Sequence, residues 1–359
     1  MVFTLKPVHT EHCYWQQELD SAIKSIRSKK NLLILGPDKI GKSSFLLHIE
    51  KKLKSKSSIP AIFSAENCIT LESYIKKNLL SLMKAYGDIF TRPKDLFSFP
   101  IIELDKKISA LKLSENTKNA LKLLLVFQND PKTDIEDVVK TFFEFPSLLA
   151  KETKTTPVIM IDDAHQLQNL KADKISLSLF FNILPELKDT LFVITSHSLK
   201  LEGFEQVILS PFSIDATKEF LAGNNVKLDE QALNTLQNVA EGFPFYINFF
   251  GRQIACTGKT NDASLNELVS DSLSNELHMY FSEKLKLLSP KELPILFCMA
   301  QHNVNSPSRI SRLINYSQTN IRRFLSIMEE KGFVSLKERG VFEINDPVFR
   351  RWLEIQSRS

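Results

Sequence analysis

Residues 31–53 read Asn-Leu-Leu-Ile-Leu, then Gly-Pro-Asp-Lys-Ile-Gly-Lys-Ser-Ser, then Phe-Leu-Leu-His-Ile-Glu-Lys-Lys-Leu. The first run predicts a buried strand, while Phe45, Leu46, Ile49 and Leu53 recur at helical spacing, so a tight glycine turn must join strand to helix. Gly36–Ser43 fits the pattern GxxxxGK[ST] in full. Its glycines let the backbone curl until successive N–H groups point into one anion nest, and the following helix adds the positive end of its dipole. Only ten glycines occur in the 359 residues, which makes two at this spacing a specific signal. Gly36, Pro37, Asp38, Lys39, Ile40, Gly41, Lys42, Ser43 and Ser44 are therefore expected to cradle the phosphates of ATP. Lys42 would reach the β and γ phosphates, and the Ser43 hydroxyl would take one position on Mg²⁺.

A second segment supplies the other half of that chemistry. Val158-Ile-Met-Ile-Asp162-Asp163 is a buried-strand run ending in two acids, the form of a Walker B segment. Asp162 is expected to hold Mg²⁺ with Ser43, and Asp163 to organise the attacking water. Thr195, at the end of a further apolar run and followed by Ser196 and His197, is placed to sense the γ phosphate.

Five such runs alternate with helical patterns: 31–36, 60–65, 158–162, 191–195 and 206–210. That alternation predicts an α/β fold with a parallel sheet. The helix-rich stretch from about 71 to 151 is expected to be an insertion, making residues 1–211 an α/β P-loop core. Beyond Pro211 the strand pattern stops: 212–288 reads as a helical lid, whose last helix spans roughly 264–288, and 289–359 as a separate module. An apolar fraction of 43% and a charged fraction of 25% suit an ordered chain of several domains. Cys13, Cys68, Cys256 and Cys298 are far apart with no CxxC pair, which argues against a zinc site and a disulfide framework. With no apolar run long enough for a bilayer and none like a signal peptide near Met1, the expectation is a cytoplasmic protein without a membrane partner.

The last module predicts three helices, at about 291–300, 309–314 and 318–330, followed by a hairpin of 333–336 and 341–344: a winged helix-turn-helix. It carries 11 Lys/Arg against 7 Asp/Glu, while residues 1–288 carry 35 of each. Between Glu292 and Glu329 there is no carboxylate, and Arg309, Arg312, Arg322 and Arg323 fall in that gap. Gln318, Asn320, Arg322 and Arg323 near the start of the third helix have the chemistry to contact base edges and phosphates of double-stranded DNA. The same module also suits a protein partner, so both remain open.

Together these motifs resemble the archaeal ATPase family of AAA+-like P-loop proteins and its STAND and origin-recognition relatives. Tyr14–Leu19 occupies the place of the segment that lies beside adenine in that family, with Gln16 where the family has Arg. Leu209-Ser-Pro-Phe-Ser213 is similar to its L-x-P-L-S segment, and Gly242-Phe-Pro244 to its G-x-P motif, whose proline packs near the nucleotide. Asn345-Asp-Pro-Val-Phe-Arg-Arg-Trp-Leu353 is similar to the D-P-L-F-R-x-W-L ending of archaeal members. The resemblance implies a sheet of order 5-1-4-3-2 and self-association, a neighbouring subunit being a source of an arginine finger. It makes Arg252 a candidate second sensor and implies a nucleotide-dependent switch; Asp163 stands where many such ATPases carry a Glu, and its side chain, one methylene shorter, predicts slow hydrolysis.

Overall fold

The computed structural model describes residues 13–55, 57–127, 133–170, 177–197 and 199–356. Residues 1–12, 56, 128–132, 171–176 and 198 of the expected 1–211 core, and 357–359 of the expected 289–359 module, lie outside them. The chain forms two compact units. Among the described residues, the first takes in those of His9–Leu35 and Lys42–Leu209, the second Gly36–Gly41 and those of Ser210–Ser359.

In the first unit, α1 (Gln16–Arg27) buries Leu19, Ala22, Ile23 and Ile26 on one face and leads into β1 (Asn31–Leu35). Then follow α2 (Lys42–Leu53), β2 (Ser58–Ser64), and the insertion helices α3 (Leu71–Ala85), α4 (Ile101–Ser109), α5 (Glu115–Val126) and α6 (Ile135–Thr153). The unit closes with β3 (Thr156–Asp162), α7 (Leu177–Ile183), β4 (Leu191–Ser196) and β5 (Phe204–Ile208). The strands form a parallel sheet of order β2-β3-β4-β1-β5, the order implied by the resemblance. β3 and β4 are apolar almost throughout because helices cover both faces, whereas edge strand β5 leaves Ile208 exposed. The insertion is bound to the sheet through aromatic contacts: Phe142 lies 5.2 Å from Phe63 of β2 and 5.8 Å from Tyr74, and Phe143 lies 6.3 Å from Phe192 of β4.

The second unit is helical up to the wing: α8 (Ile214–Ala222), α9 (Glu230–Ala240), α10 (Pro244–Thr257), α11 (Asp262–Ser274), α12 (Glu276–Leu285), α13 (Leu293–His302), α14 (Pro307–Leu313) and α15 (Gln318–Glu330). The antiparallel pair β6 (Val334–Glu338) and β7 (Val341–Ile344) is the wing, and α16 (Pro347–Gln356) follows it. Ser213, Asp229, Asn261 and Ser317 each cap a helix by accepting a backbone N–H from its first turn. The long helix expected over 264–288 is instead two. Asn275 leaves the helical region at φ −120°, ψ −94°, and its side-chain amide donates to the Asp271 carbonyl at 2.9 Å, the local competition with helix bonding that asparagine offers. Residues 347–356, read only as a terminal motif, form a helix whose Phe349 and Trp352 stack at 5.9 Å and pack on Phe281 of α12.

Candidate nucleotide site

Parallel pairing brings the carboxyl ends of β1, β4 and β3 abreast, since Leu35 faces Ser196 and Ile161 faces Ile194. An open parallel sheet places its ligands at that edge. Lys42 and Ser43 open α2 immediately after the glycine turn, and Asp162 ends β3.

These residues meet in the first unit. The Ser43 hydroxyl hydrogen-bonds to the Asp162 carboxylate. Lys42, only 4% exposed, has its ammonium 3.7 Å from Asp163 Oδ1. Thr195 is buried, donates its hydroxyl to Asp162 Oδ1 at 2.8 Å and accepts the Asp163 backbone N–H at 2.7 Å. Thr195 thus fixes both acids rather than standing apart from them. His197 packs edge-on to His165, with ring centroids 4.1 Å apart.

Asp163 has φ 46°, ψ 53°, a left-handed conformation that aspartate and asparagine tolerate better than most residues. That backbone turn suits an aspartate at this position. The Asp162 carboxyl is pushed above its ordinary value first by burial and then by the adjacent Asp163 charge; Ser43, Thr195 and Lys42 oppose the rise. Two crowded carboxylates beside a hydroxyl make an oxygen-only donor set that suits Mg²⁺, and a dication relieves the repulsion that raises Asp162. Ser43 and Asp162 are the residues that would hold it.

The remaining motif residues, Gly36–Gly41, belong to the second unit. Ile40 N–H bonds to the Pro37 carbonyl at 3.4 Å, and Lys39 and Gly41 both take positive φ, 67° and 98°. Alternating handedness of this kind turns successive N–H groups inward. Lys39 does not lie in solvent: its ammonium reaches Asp346 Oδ2 at 2.7 Å. No sequence reading identified that pair.

The other candidates are placed as follows. Pro244 is the first residue of α10, and Arg252 is exposed on the same helix. The Gln16 amide bonds to Asp20 at 2.8 Å, four residues along its own helix. Arg309 and Arg312 are exposed on α14, and Gln318, Asn320, Arg322 and Arg323 on α15, whose Ile321, Leu325 and Met328 are buried beneath them.

Strand order, phosphate loop, lid helices and winged helix define a P-loop protein of AAA+ architecture. No protein-family model matches the sequence, and no curated protein is significantly similar to it. Among solved structures, the Walker-type ATPase PABY2304 of Pyrococcus abyssi is similar with a TM-score of 0.67 at 19% identity, over 98% of this chain and 99% of that one. The Aeropyrum pernix ORC2 protein is similar in its ADPNP-ADP complexes, with a TM-score of 0.54, and in its ADP form, with 0.52. Both share 12% identity over 99% of this chain and 98% of the other. At these identities the likeness concerns the fold.

Proposed function

We propose that the chain is a Mg²⁺-dependent ATPase in which nucleotide state switches a C-terminal winged helix that binds double-stranded DNA. The observation that carries this reading is the convergence of Lys42, Ser43, Asp162, Asp163 and Thr195, drawn from two strand ends and one helix start, into one hydrogen-bonded group. Lys42 clamps the phosphates, Ser43 and Asp162 hold the metal, Asp163 organises water and Thr195 keeps the acids in register. Bound Mg²⁺ supplies charge neutralisation at the phosphates. The ATP-like and ADP ligands of the Aeropyrum pernix ORC2 structures agree with this assignment. Three domains, 1–211, 212–288 and 289–359, serve as core, lid and winged helix. Among the described residues no helix is long and apolar enough to cross a membrane.

Asp163→Asn tests the chemistry. Asparagine keeps the left-handed backbone but is no longer a base, so the variant is expected to bind ATP while turnover falls about 10²- to 10⁴-fold. Equal steady-state rates for variant and parent would remove Asp163 from the role.

The DNA assignment rests on the exposed cationic face of α14 and α15. Fluorescence anisotropy with a labelled duplex at low salt is expected to detect binding that weakens steeply as salt rises, and that reversing Arg322 and Arg323 to Glu reduces at least about tenfold. A parent protein that ignores duplex DNA at low salt leaves a protein partner as the reading of the winged helix.

A further inference from the structure

Lys39 occupies one of the unspecified positions of the phosphate-loop motif, yet it is more tightly held than most cations on the molecule. Its side chain is 9% exposed and that of Asp346 only 6%. The ammonium also contacts the Tyr246 hydroxyl, and it lies 4.4–5.1 Å from the ring centroids of Phe245, Tyr246, Tyr280 and Phe281. Asp346 in turn accepts from Tyr246 Oη at 2.7 Å, has Lys284 Nζ 3.8 Å away, and caps α16 by accepting the Phe349 N–H at 2.9 Å. All these groups lie in the second compact unit.

The backbone gives this cluster its purpose. At φ 67° Lys39 sits in the left-handed region, where glycine is at ease and a residue with a Cβ is strained. Such a conformation persists only where the surroundings over-determine it. A desolvated ion pair inside an aromatic cage does so, because releasing Lys39 would strand Asp346 in the interior. Burial disfavours the charged form of each partner. Desolvation lowers the Lys39 ammonium, with Asp346 opposing. For Asp346 burial pushes upward, but the charges of Lys39 and Lys284 and bonds from Lys39 and Tyr246 outweigh it, so the carboxyl stays below its ordinary value.

We propose that Asp346 is a positioning residue for nucleotide binding: by gripping Lys39 from the cap of α16 it holds Gly36–Gly41 in the curled conformation that cradles phosphate. The inference rests on the ATP-binding assignment above. It makes the D-P segment near the C-terminus a working part of the phosphate loop.

Asp346→Asn is the direct test, since asparagine caps a helix as well as aspartate does and removes only the charge. Titration of the full chain with N-methylanthraniloyl-ATP and Mg²⁺ is expected to give about tenfold weaker binding for D346N, because a smaller fraction of molecules holds the competent loop. Two double variants separate positioning from fold maintenance. Both K39G/D346N and K39A/D346N delete the pair, but only glycine frees φ. K39G/D346N is expected to return to within about threefold of the parent and K39A/D346N to remain weak. Unchanged affinity in D346N, or equal weakness of the glycine and alanine variants, overturns the proposal. Amide hydrogen exchange over residues 36–43 of the nucleotide-free chain gives a second readout, expected to quicken at least about tenfold in D346N. A parent that takes up no nucleotide defeats the ATPase reading alone; unchanged exchange in D346N defeats the anchoring whatever the nucleotide result.

Discussion

Lys42→Ala is expected to abolish useful nucleotide binding, with MgATP affinity falling at least about a hundredfold in isothermal titration. The lysine is nearly fully buried, so its charge acts in a medium where screening is weak. Loss of a charge-assisted hydrogen bond to phosphate costs about 3 kcal/mol, which is roughly two decades in affinity. A second effect adds to the first. Lys42 is the cation 3.7 Å from Asp163, so its removal leaves two neighbouring carboxylates facing an incoming polyanion with less positive charge between them. Lys42→Arg restores charge but not shape, because the planar guanidinium does not fit a slot built for a point charge, and partial recovery is expected. Unaltered MgATP affinity in the alanine variant would dismiss Gly36–Ser43 as the binding loop.

The largest stability effect is expected at Gly242. It adopts φ +76°, and a Cβ built there would lie 2.9 Å from the Phe212 nitrogen, 3.0 Å from Pro211 Cβ and closer still to the Phe212 carbonyl oxygen. The obstacle is mainly backbone, held in place by the Phe212 N–H bond to the Gly242 carbonyl at 2.8 Å. Gly242→Ala therefore adds left-handed strain to an overpacked contact that cannot rotate away, about 2–5 kcal/mol together. Thermal unfolding is expected to move down by on the order of 10 °C. By contrast, Gly203 and Gly258 share a positive φ but would meet nothing within 4 Å. Alanine there is expected to cost only the conformational strain, and a drop at Gly258 as large as at Gly242 would show that packing is not the cause.

The strands were legible because their physics is local, whereas their order in the sheet was implied by the family resemblance. Each strand announced itself as an apolar run, and the phosphate loop fixed which came first. Asp162 and Lys42 were legible for the same reason, since short motifs specify their backbone settings. The kink at Asn275 was not, because apolar spacing continues across it and only side-chain competition for backbone groups breaks the helix. Lys39, Tyr246 and Asp346 escaped for a different reason. Asp346 lies 307 positions from Lys39 and Tyr246 lies 207 positions from it, and each alone has an ordinary reading: a variable loop residue, a core aromatic, a helix cap. A lysine at a position whose backbone favours glycine was the one available clue, and it becomes informative only once φ is known.

That six residues of the glycine turn cluster with the C-terminal half bears on how the protein should be handled at the bench. A fragment trimmed after residue 211 retains the Gly36–Ser43 loop and the Val158–Asp163 segment yet lacks Asp346 and Tyr246. On the anchoring proposed above, such a fragment is expected to hold nucleotide more weakly than the full chain, so a nucleotide screen calls for the full chain.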